Sequence, residues 1–366
     1  MEKNNKTLNV PHLRFPEFSG EWENLSLNDI VLEKKKRVSS STLTTSTYIS
    51  TENMLQNFAG VSKANGVPSN NVVEYKIGDI LISNIRPYLK KIWLANQNGG
   101  CSSDIIVLSP CENYDGSFVY YLLANDGFVS YVMSGAKGLK MPRGDKQQIL
   151  KYGISIPSLK EQRKIAALLD LFDQHIETQK KIIEKYESLI RGLCEKLTRQ
   201  GTPNKIIAEC LKCHSTSLQE SAVLDAGSYP VYGAIGICGY TDTPDVSGDG
   251  ILIIKDGASV GVTYFADGTY SFIGTLNRLT ANEDINLRYV YYCLKVLNFT
   301  PYKTGLAIPH IYFKDYGKHK IWCPTLEQQS KIADALTTIE NKIQVEKSLL
   351  AHLNSQKQYM LNQLFI

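Results

Sequence analysis

Residues 157–166 read Pro-Ser-Leu-Lys-Glu-Gln-Arg-Lys-Ile-Ala, and residues 324–333 read Pro-Thr-Leu-Glu-Gln-Gln-Ser-Lys-Ile-Ala, 167 positions further on. The Gly-Leu-Lys-Met-Pro of residues 138–142 returns at the same offset as the Gly-Leu-Ala-Ile-Pro of residues 305–309. A period of this length exceeds the roughly 20–50 residues of solenoid and propeller repeats. The chain is therefore a duplicated module, and each copy ends in a block that opens a long helix.

The duplication extends upstream at a slightly different offset. The Val-Tyr-Tyr of residues 119–121 returns at 290–292, and the Ile-Leu-Ile of residues 80–82 returns at 251–253, both 171 positions later. A four-residue insertion or deletion therefore separates these blocks from the later ones. Proteins built from two related halves usually bind a target that is itself two-fold.

The composition is that of an ordinary globular chain. Its 366 residues are 43% hydrophobic and 21% charged, with a formal net charge of +4. The length predicts two or three domains, and the mildly basic charge permits nucleic-acid binding without requiring it. The start of the chain lacks the apolar core of a signal peptide, and no apolar run approaches the ~18 residues of a membrane span. We therefore expect a cytoplasmic protein with no membrane contact, whose eight cysteines are reduced.

One cysteine spacing matches a known motif. Residues 210–214 read Cys-Leu-Lys-Cys-His, the spacing of c-type haem attachment. That chemistry requires export, which nothing else in the sequence supports. A zinc site would need a second pair of ligands at matching spacing, and none is evident. We therefore predict that this chain binds no cofactor and no metal.

Two long helices follow the repeated blocks. Each begins with a capping pattern, Ser158-x-x-Glu161 in the first copy and Thr325-x-x-Gln328 in the second, and Gly201 ends the first helix. Apolar residues then recur at alternating spacings of four and three, which predicts a coiled-coil seam. The seam positions are Ile165, Leu169, Phe172, Ile176, Gln179, Ile183, Tyr186, Ile190, Leu193 and Leu197, and then Ile332, Leu336, Ile339, Ile343, Glu346, Leu350, Leu353, Lys357, Met360 and Leu364.

Both seams are interrupted by a polar residue at the same level, because Gln179 and Glu346 occupy equivalent positions. A polar layer of this kind can set the register of a coiled coil. The sequence equally permits two tolerated surface residues in a region where the helices splay apart.

The connection between the helices predicts how they pair. The first helix, over residues 159–200, should be about 60 Å long. The intervening segment of roughly 122 residues should form a domain only about 35 Å across. Parallel pairing would require that domain to bridge the whole helix length. We therefore expect an antiparallel pair, with one globular domain at each end of a rod.

The two modules mix strands with helices. The first has strand-like runs at 80–82 and 105–108 and a helix over 118–133, and the second has a strand at 250–254 and a helix over 287–297. The predicted fold class is α+β, with two globular domains separated by an antiparallel pair of long helices in a pseudo-two-fold internal repeat. The predicted boundaries are 1–20 for an N-terminal arm, 21–156 and 202–322 for the two modules, and 157–201 and 323–366 for the helical regions.

Basic and aromatic side chains occur together in both modules. Lys and Arg neutralise phosphates, and Arg also pairs with guanine edges. Each such residue is equally interpretable as a solvated surface charge, but the exit loops that lead towards the long helices are equivalent in the two copies. The predicted DNA-binding residues are Lys34, Lys35, Lys36, Arg37, Arg86, Tyr88, Lys90, Lys91, Lys137, Lys140 and Arg143 in the first module, and Lys255, Arg278, Tyr302, Lys303 and His310 in the second.

The sequence contains no catalytic motif that we can identify. Walker A, Rossmann and amino-methyltransferase Asn/Asp-Pro-Pro-Tyr patterns are absent. Asp29, Glu33 and Lys35 faintly resemble the carboxylate and lysine set of a nuclease, but such spacing arises easily in lysine-rich sequence. We therefore predict a protein without an active site of its own.

Several stretches are similar to one known family. Residues 11–22, Pro-His-Leu-Arg-Phe-Pro-Glu-Phe-Ser-Gly-Glu-Trp, resemble the amino-terminal stretch of the specificity (S) subunits of type I restriction-modification systems. Residues 229–233 and 255–261 resemble a recurrent signature of their target recognition domains, and residues 154–166 resemble their conserved helical regions. The resemblance covers nearly the whole chain. The departures are small: Cys323 stands where the first copy has Ile156, and residues 327–329 read Glu-Gln-Gln where the first copy has Lys-Glu-Gln.

The resemblance implies a subunit that carries no catalysis. Each target recognition domain would read one half of a bipartite, asymmetric site in double-stranded DNA, and the helices would fix the gap between the halves. Two modification subunits would bind S-adenosylmethionine and methylate adenine, which requires flipping the base out of the duplex. Two restriction subunits would use ATP and Mg²⁺ for translocation and cleavage.

Two other function classes compete with this interpretation. A self-contained endonuclease or DNA methyltransferase would need catalytic motifs that the sequence lacks. A coiled-coil scaffold without a DNA role would not need two modules with basic exit loops. The sequence does not give the target bases, the spacer length or the residues that contact partner subunits.

Overall fold

The structure, a computed structural model, describes residues 9–305 and 307–366. It divides into two compact units, one formed by the chain up to Thr178 together with Leu350–Ile366 and the other by Gln179–Leu349. Each unit contains one module of strands and short helices and one half of each long helix. Residues 1–8 of the predicted N-terminal arm, and Leu306 of the second exit loop, lie outside the described residues.

The first module combines ten strands with four short helices. Its strands are β1 (Glu23–Ser26), β2 (Val31–Glu33), β3 (Arg37–Val38), β4 (Tyr48–Ile49), β5 (Val72–Tyr75), β6 (Ile80–Ser83), β7 (Ile92–Leu94), β8 (Gly99–Cys101), β9 (Ile105–Pro110) and β10 (Gly153–Ile156). Its helices are α1 (Leu27–Ile30), α2 (Gly116–Leu123), α3 (Asp126–Ser134) and α4 (Lys146–Leu150). The strands form two four-stranded sheets, ordered β2-β9-β6-β7 and β3-β5-β8-β4, and the pair β1-β10.

The second module follows the first long helix, α5 (Leu159–Thr198), and repeats this plan. Its strands are β11 (Lys205–Ile206), β12 (Leu211–Ser215), β13 (Tyr229–Gly233), β14 (Gly236–Thr241), β15 (Val246–Ser247), β16 (Gly250–Ile254), β17 (Thr263–Ala266), β18 (Thr269–Phe272), β19 (Leu276–Ala281) and β20 (Lys320–Ile321). Its helices are α6 (Ile207–Cys210), α7 (Leu287–Lys295) and α8 (Phe313–Tyr316). The sheet orders are β12-β19-β16-β17 and β14-β13-β18-β15, with the pair β11-β20.

The central strands β6 and β16 are buried on both faces, which explains why their sequences are continuously apolar. In the first module Ile80 and Ile82 pack into a core shared with α2 and α5, whereas Leu81 faces a second core shared with the other four-stranded sheet. In the second module Ile251 and Leu252 divide between two cores in the same way. Alternation of side chains along a strand therefore gives each module two hydrophobic cores, one beneath the long helix and one between its sheets.

The second sheet of each module shares three strands and differs in the fourth. β4 pairs parallel to β8 and β5 pairs antiparallel to it, as β13 and β15 do with β18. The fourth strand is β3, beside β5, in the first module, but β14, beside β13, in the second. The two modules therefore extend the same three-stranded core at opposite edges.

The predicted helix over residues 118–133 is two helices. α2 ends at Leu123, and the Asn125 side chain accepts a hydrogen bond of 2.9 Å from the Phe128 amide at the start of α3. Asn is a favoured N-cap residue because its side chain satisfies an otherwise unpaired amide. The prediction of a single helix was wrong for this local reason.

The long helices are confirmed as α5 and α9 (Leu326–Leu364). The Ser158 hydroxyl accepts from the Glu161 amide and the Thr325 hydroxyl from the Gln328 amide, each at 3.4 Å, which is the Ser/Thr half of the predicted caps. Glu161 does not return the bond, since its carboxylate pairs with Arg14. None of the predicted seam residues is classed as exposed.

The helices are antiparallel within each unit. In the first unit, Leu169 near the start of α5 shares a core with Leu364 at the end of α9, and Lys357 lies 2.5 Å from Asp173. In the second unit, Ile190 near the end of α5 shares a core with Leu336 near the start of α9. The predicted α+β class, internal repeat and antiparallel helix pairing are therefore confirmed.

The polar layer is buried rather than a surface feature. Gln179 and Glu346 are 6% and 8% exposed, and the Gln179 amide donates to the Glu346 carboxylate and to its backbone carbonyl. The Lys342 ammonium, 2.6 Å away, and the Gln179 amide hold the pKa of the Glu346 carboxyl below its ordinary value. An antiparallel pair of repeated helices brings equivalent residues together at one level only, and these two residues lie at that level.

Two buried glutamines attach the modules to the long helices in the same way. The Gln162 side chain accepts from the Asp115 amide and donates to the Pro157 carbonyl, both at 2.9 Å. Gln329, its equivalent in the second copy, makes the same two bonds to the amide of Asn286 and the carbonyl of Pro324, and also donates to the Cys323 sulfur at 3.4 Å. Each glutamine thereby joins the cap of a module helix to the start of a long helix.

A tyrosine and an acid make a second repeated contact. The Tyr121 hydroxyl lies 2.7 Å from Asp173, and the Tyr292 hydroxyl lies 2.9 Å from Glu340, at positions equivalent in the repeat. Burial raises the pKa of both tyrosines, so each hydroxyl stays protonated and donates. These contacts hold α2 and α7 against the long helices and so position the sheets that they carry.

Candidate nucleic-acid interface

The first exit loop, residues 137–143, is a narrow hairpin, and the described residues of the second, 304–305 and 307–310, are closed in the same way. Lys137 and Arg143 exchange two backbone hydrogen bonds of 2.9 Å, and Thr304 and His310 exchange two of 2.9 and 2.7 Å. Both hairpins turn on a glycine in the left-handed region, Gly138 and Gly305, where side chains other than Gly are strained. The two loops therefore share their closing hydrogen bonds and the position of their positive-φ glycine.

A second loop lies against each exit loop, formed by residues 84–91 after β6 and by residues 255–261 after β16. The Arg86 amide donates to the Pro142 carbonyl at 2.7 Å, and the Gly257 amide donates to the Pro309 carbonyl at 2.9 Å. These pairs are equivalent in the repeat. The structure therefore brings together two segments that the sequence could only identify separately.

The first module gathers four predicted cations on these two loops. Arg86 and Lys140 are exposed, and the Lys137 side chain is 84% exposed. Arg143 also faces solvent, although its guanidinium lies 3.0 Å from the Asp104 carboxylate. Cations on adjoining rigid loops are suited to contacting neighbouring phosphates.

Two predicted residues make internal contacts instead. The Lys34 ammonium lies 2.7 Å from the Asp79 carboxylate, whose side chain is 3% exposed. Arg278 donates to the Tyr270 hydroxyl at 2.9 Å and to the Asp249 carbonyl at 3.0 Å. Both side chains therefore have partners within their own modules, and their contact with DNA stays a prediction.

The rest of the basic run in the first module lies at the edge of a sheet. Lys35 and Lys36 project into solvent with side chains more than 70% exposed, and Lys36 lies 3.0 Å from Glu74. Arg37 on β3 donates to the Asn71 carbonyl at 3.1 Å. These residues are separate in the hydrogen-bond network from the two adjoining loops.

The aromatic and basic residues after Arg86 divide by exposure. Tyr88 is 47% exposed, whereas Lys90 pairs with Asp126 at 2.7 Å. Lys91 donates to the Thr51 carbonyl at 2.6 Å, and burial together with the Arg86 charge lowers the pKa of its ammonium. Tyr88 is therefore the side chain of this group most accessible to a partner.

The second module carries fewer exposed cations at the equivalent place. Lys303 is exposed, and Lys255 is half-buried at the start of its loop. The His310 ring lies 2.6 Å from the Asp256 carboxylate, and the Tyr302 hydroxyl lies 2.9 Å from the His319 ring. The two modules thus share loop geometry but differ in the charge that the loops display.

Sequence reasoning missed the apolar side chains at the hairpin tips. Leu139, Met141 and Ile308 are 104%, 51% and 58% exposed. The signal was present, because the Gly-x-x-x-Pro block repeats with Met141 and Ile308 at the same position. The predicted DNA-binding residues were chosen among basic and aromatic side chains, so these apolar residues were not among them.

The residues of the nuclease-like spacing have other partners. Asp29 accepts from the amide and hydroxyl of Ser26, which lowers the pKa of its carboxyl, and Glu33 pairs with Lys146 and Lys35. In the described parts of the chain, no group of three or more His, Cys, Asp or Glu side chains is placed to hold a metal ion. Within the same parts, the long helices are too polar to cross a bilayer, and no other helix qualifies.

Comparison with known proteins gives a consistent result. Residues 19–188 and 207–355 match the family model described as the type I restriction modification DNA specificity domain. The chain is 21% identical over 136 residues to the type I restriction enzyme EcoDI specificity subunit of Escherichia coli, covering 37% of this chain and 30% of that protein. It is 24% identical over 279 residues to the MjaVIII specificity subunit of Methanocaldococcus jannaschii, covering 64% and 66%. It therefore spans less than two thirds of either relative.

The fold also matches a solved structure. The crystal structure of the S subunit of a type I restriction-modification system from M. genitalium superposes with a TM-score of 0.70 at 19% identity. The superposition covers 98% of this chain and 99% of that one. At this level of identity the match describes the fold.

Proposed function

Since the chain belongs to the type I restriction-modification DNA specificity family, we propose that it is the non-catalytic subunit that reads the DNA target in such a complex. The observation that carries the proposal is the duplicated pair of adjoining loops. Each module presents an exit loop that is hydrogen-bonded to the loop following its central strand. Exposed Lys and Arg side chains lie on both loops of the first module, and Lys255 and His310 lie on those of the second. Loops fixed by backbone hydrogen bonds can hold side chains against base edges and phosphates without a large ordering cost.

The proposed target is bipartite and asymmetric. Residues 21–156 and 202–322 each form a target recognition domain that reads one half-site in double-stranded DNA. The shared loop geometry supports a common docking mode for both, and the different charges and different fourth strands support different base sequences. The helical regions, 157–201 and 323–366, fix the gap between the half-sites.

The proposed partners supply the chemistry. Two modification subunits bind S-adenosylmethionine and methylate a flipped adenine in each half-site. Two restriction subunits use ATP and Mg²⁺ to translocate and cleave DNA. The complex works in the cytoplasm, and this chain contributes recognition and assembly without a cofactor of its own.

A module exchange tests the proposal. Residues 202–322 are replaced by the corresponding module of a relative with a different target, and methylated adenines are mapped across the genome of a host that expresses the complex. One half of the methylated sequence should change while the other half and the spacer remain. The reciprocal exchange of residues 21–156 should change the other half. If either exchange altered both halves, the assignment of one module to one half-site would be wrong.

A further inference from the structure

The hairpin tips expose apolar side chains that no core requires. Leu139 is 104% exposed and Met141 is 51% exposed, and neither belongs to a hydrophobic cluster of the module. Ile308, which is equivalent to Met141, is 58% exposed in the second module. Single exposed apolar residues are ordinary on protein surfaces. The same exposure at the same position of a duplicated hairpin calls for a shared cause.

The hairpins hold these side chains outward by design of the backbone. Cross-strand bonds close the base of each hairpin, and Arg86 and Gly257 fasten the prolines that follow Met141 and Ile308. The carbonyl of Ile308 would lie 2.4 Å from a Cβ built on Gly305, so the tip admits only glycine there. A loop closed by these hydrogen bonds cannot fold its apolar tip inward. The unfavourable free energy of hydrating the tip therefore remains until a partner covers it.

The charge around the tip of the first module identifies the partner. Lys137, Lys140 and Arg143 alternate with Leu139 and Met141 along one short hairpin, and all three cations face solvent. The buried centres of protein–protein interfaces are depleted of charged residues, and of Lys in particular. A DNA duplex, in contrast, offers phosphates to the cations and the apolar faces of bases to the side chains between them.

We propose that the exit-loop tips are wedges, with Leu139 and Met141 of the first module and Ile308 of the second inserting at a base step of each half-site and partly unstacking it. This inference rests on the proposed function and adds a mode of recognition to it. Leu, Ile and Met are among the side chains that proteins use in this way, and the energy of unstacking is recovered from the contacts that the bent duplex permits. Such a step would be selected by its flexibility rather than by its hydrogen-bonding edges.

The test uses the full chain assembled with its modification subunits. The probe is a duplex that carries the target mapped from methylated adenines, with 2-aminopurine placed singly at successive positions of one half-site. Wild-type complex should raise the fluorescence at one step of that half-site besides the position of the methylated adenine, where base flipping by the modification subunit raises it as well. The double variant Leu139→Ala/Met141→Ala should lose this rise and bind about tenfold more weakly, equivalent to about 1.4 kcal/mol. The slope of affinity against salt should not change, since no phosphate contact is removed.

Three further variants keep the test specific. Leu32→Ala removes an apolar side chain that is 65% exposed on β2 of the same module, and it should leave fluorescence and affinity unchanged. Lys140→Gln should reduce the salt slope by about one while the fluorescence rise remains. Ile308→Ala should abolish the rise only when 2-aminopurine is in the other half-site.

Three outcomes would overturn the wedge. A double variant with wild-type fluorescence and affinity would show that the tips do not touch bases. A double variant that fails to assemble with the modification subunits, but whose assembled fraction binds normally, would make the tips a protein-docking site. A wild-type complex with no preference for the mapped duplex would remove the proposed function, and the wedge with it.

Discussion

Glu161 and Gln328 occupy equivalent places in the first turns of α5 and α9 but differ in their contacts. Glu161 on α5 is 1% exposed and receives two hydrogen bonds, of 2.8 and 2.9 Å, from the Arg14 guanidinium of the N-terminal arm. Gln328 occupies the equivalent place on α9, where it is exposed. The substitution between the copies is therefore explained by the arm. Where an extra segment covers the helix the site is ionic, and where none does an uncharged residue suffices.

The two modules attach to the long helices through the same kind of contact but differ at the edges of their sheets. The contacts that join module to helix, through Gln162 and Gln329, are the same, whereas the fourth strands β3 and β14 lie at opposite edges. The two copies therefore share the attachment of the module to the long helix and differ at the sheet edges. Substitutions at equivalent positions of the two copies test this difference.

The largest effect is expected from Arg14→Ala. The substitution would leave the Glu161 carboxylate, whose side chain is 2% exposed, buried without its partner. Removing one member of a buried ion pair costs about 3–5 kcal/mol. Gln328→Ala at the equivalent exposed position should cost less than about 0.5 kcal/mol. Denaturant unfolding followed by tryptophan fluorescence measures both, and equal losses would show that the arm does not account for the difference.

Gln162→Leu and Gln329→Leu should each destabilise their own unit. Each change leaves an amide and a carbonyl that are buried or part-buried without these partners, at a cost of about 1–3 kcal/mol. Because Gln329 also donates to the Asp284 carbonyl and the Cys323 sulfur, its replacement should cost at least as much as that of Gln162. Hydrogen exchange at the starts of α5 and α9 measures them separately. A loss of stability in only one copy would mean that the two glutamines share their geometry but not their contribution to stability.

The exit-loop glycines should respond unequally to alanine. Both Gly138 and Gly305 have positive φ, so either substitution should cost about 1–2 kcal/mol of loop stability. Gly305→Ala should cost more, because its Cβ would lie 2.4 Å from the Ile308 carbonyl oxygen while that of Gly138 would lie 3.3 Å from the Met141 carbonyl oxygen. Amide exchange of His310 and Arg143 reports each hairpin. The reverse order would contradict the described loop shapes.

The smallest effect is a pH dependence at the polar layer. The Lys342 ammonium and the Gln179 amide lower the pKa of Glu346 in the folded chain, so the ionised form stabilises the helix pair above the ordinary value of 4.5. That stability should be lost as the pH falls through the folded pKa. Glu346→Gln should remove the dependence, whereas Gln179→Ala should weaken it. Thermal unfolding between neutral and acidic pH measures both variants, and an unchanged slope in Glu346→Gln would assign the dependence to other groups.

Much of the long helices and their caps was predictable from the sequence, whereas little of the candidate nucleic-acid interface was. The seam from Ile165 onward, the Ser and Thr caps and the level of Gln179 follow from local periodicity. The same reasoning named Lys34 and Arg278 as DNA-binding candidates, although their side chains hold Asp79 and Tyr270. A charged residue does not reveal from its neighbours in sequence whether it faces solvent or a buried acid, since that acid lies in another strand.

The duplication, the two long helices and their antiparallel pairing follow from the sequence, because spacing, helix rise and connection length are properties of the chain alone. The folded structure is needed to see which loops meet, that Arg14 reaches Glu161, that α2 and α3 are separate, and that the fourth strands differ. Those outcomes depend on contacts between residues far apart in sequence, where packing and hydrogen-bond satisfaction select one partner among many. Both copies of the repeat predict a capped long helix, whereas the differences between the copies lie in the folded sheets and loops.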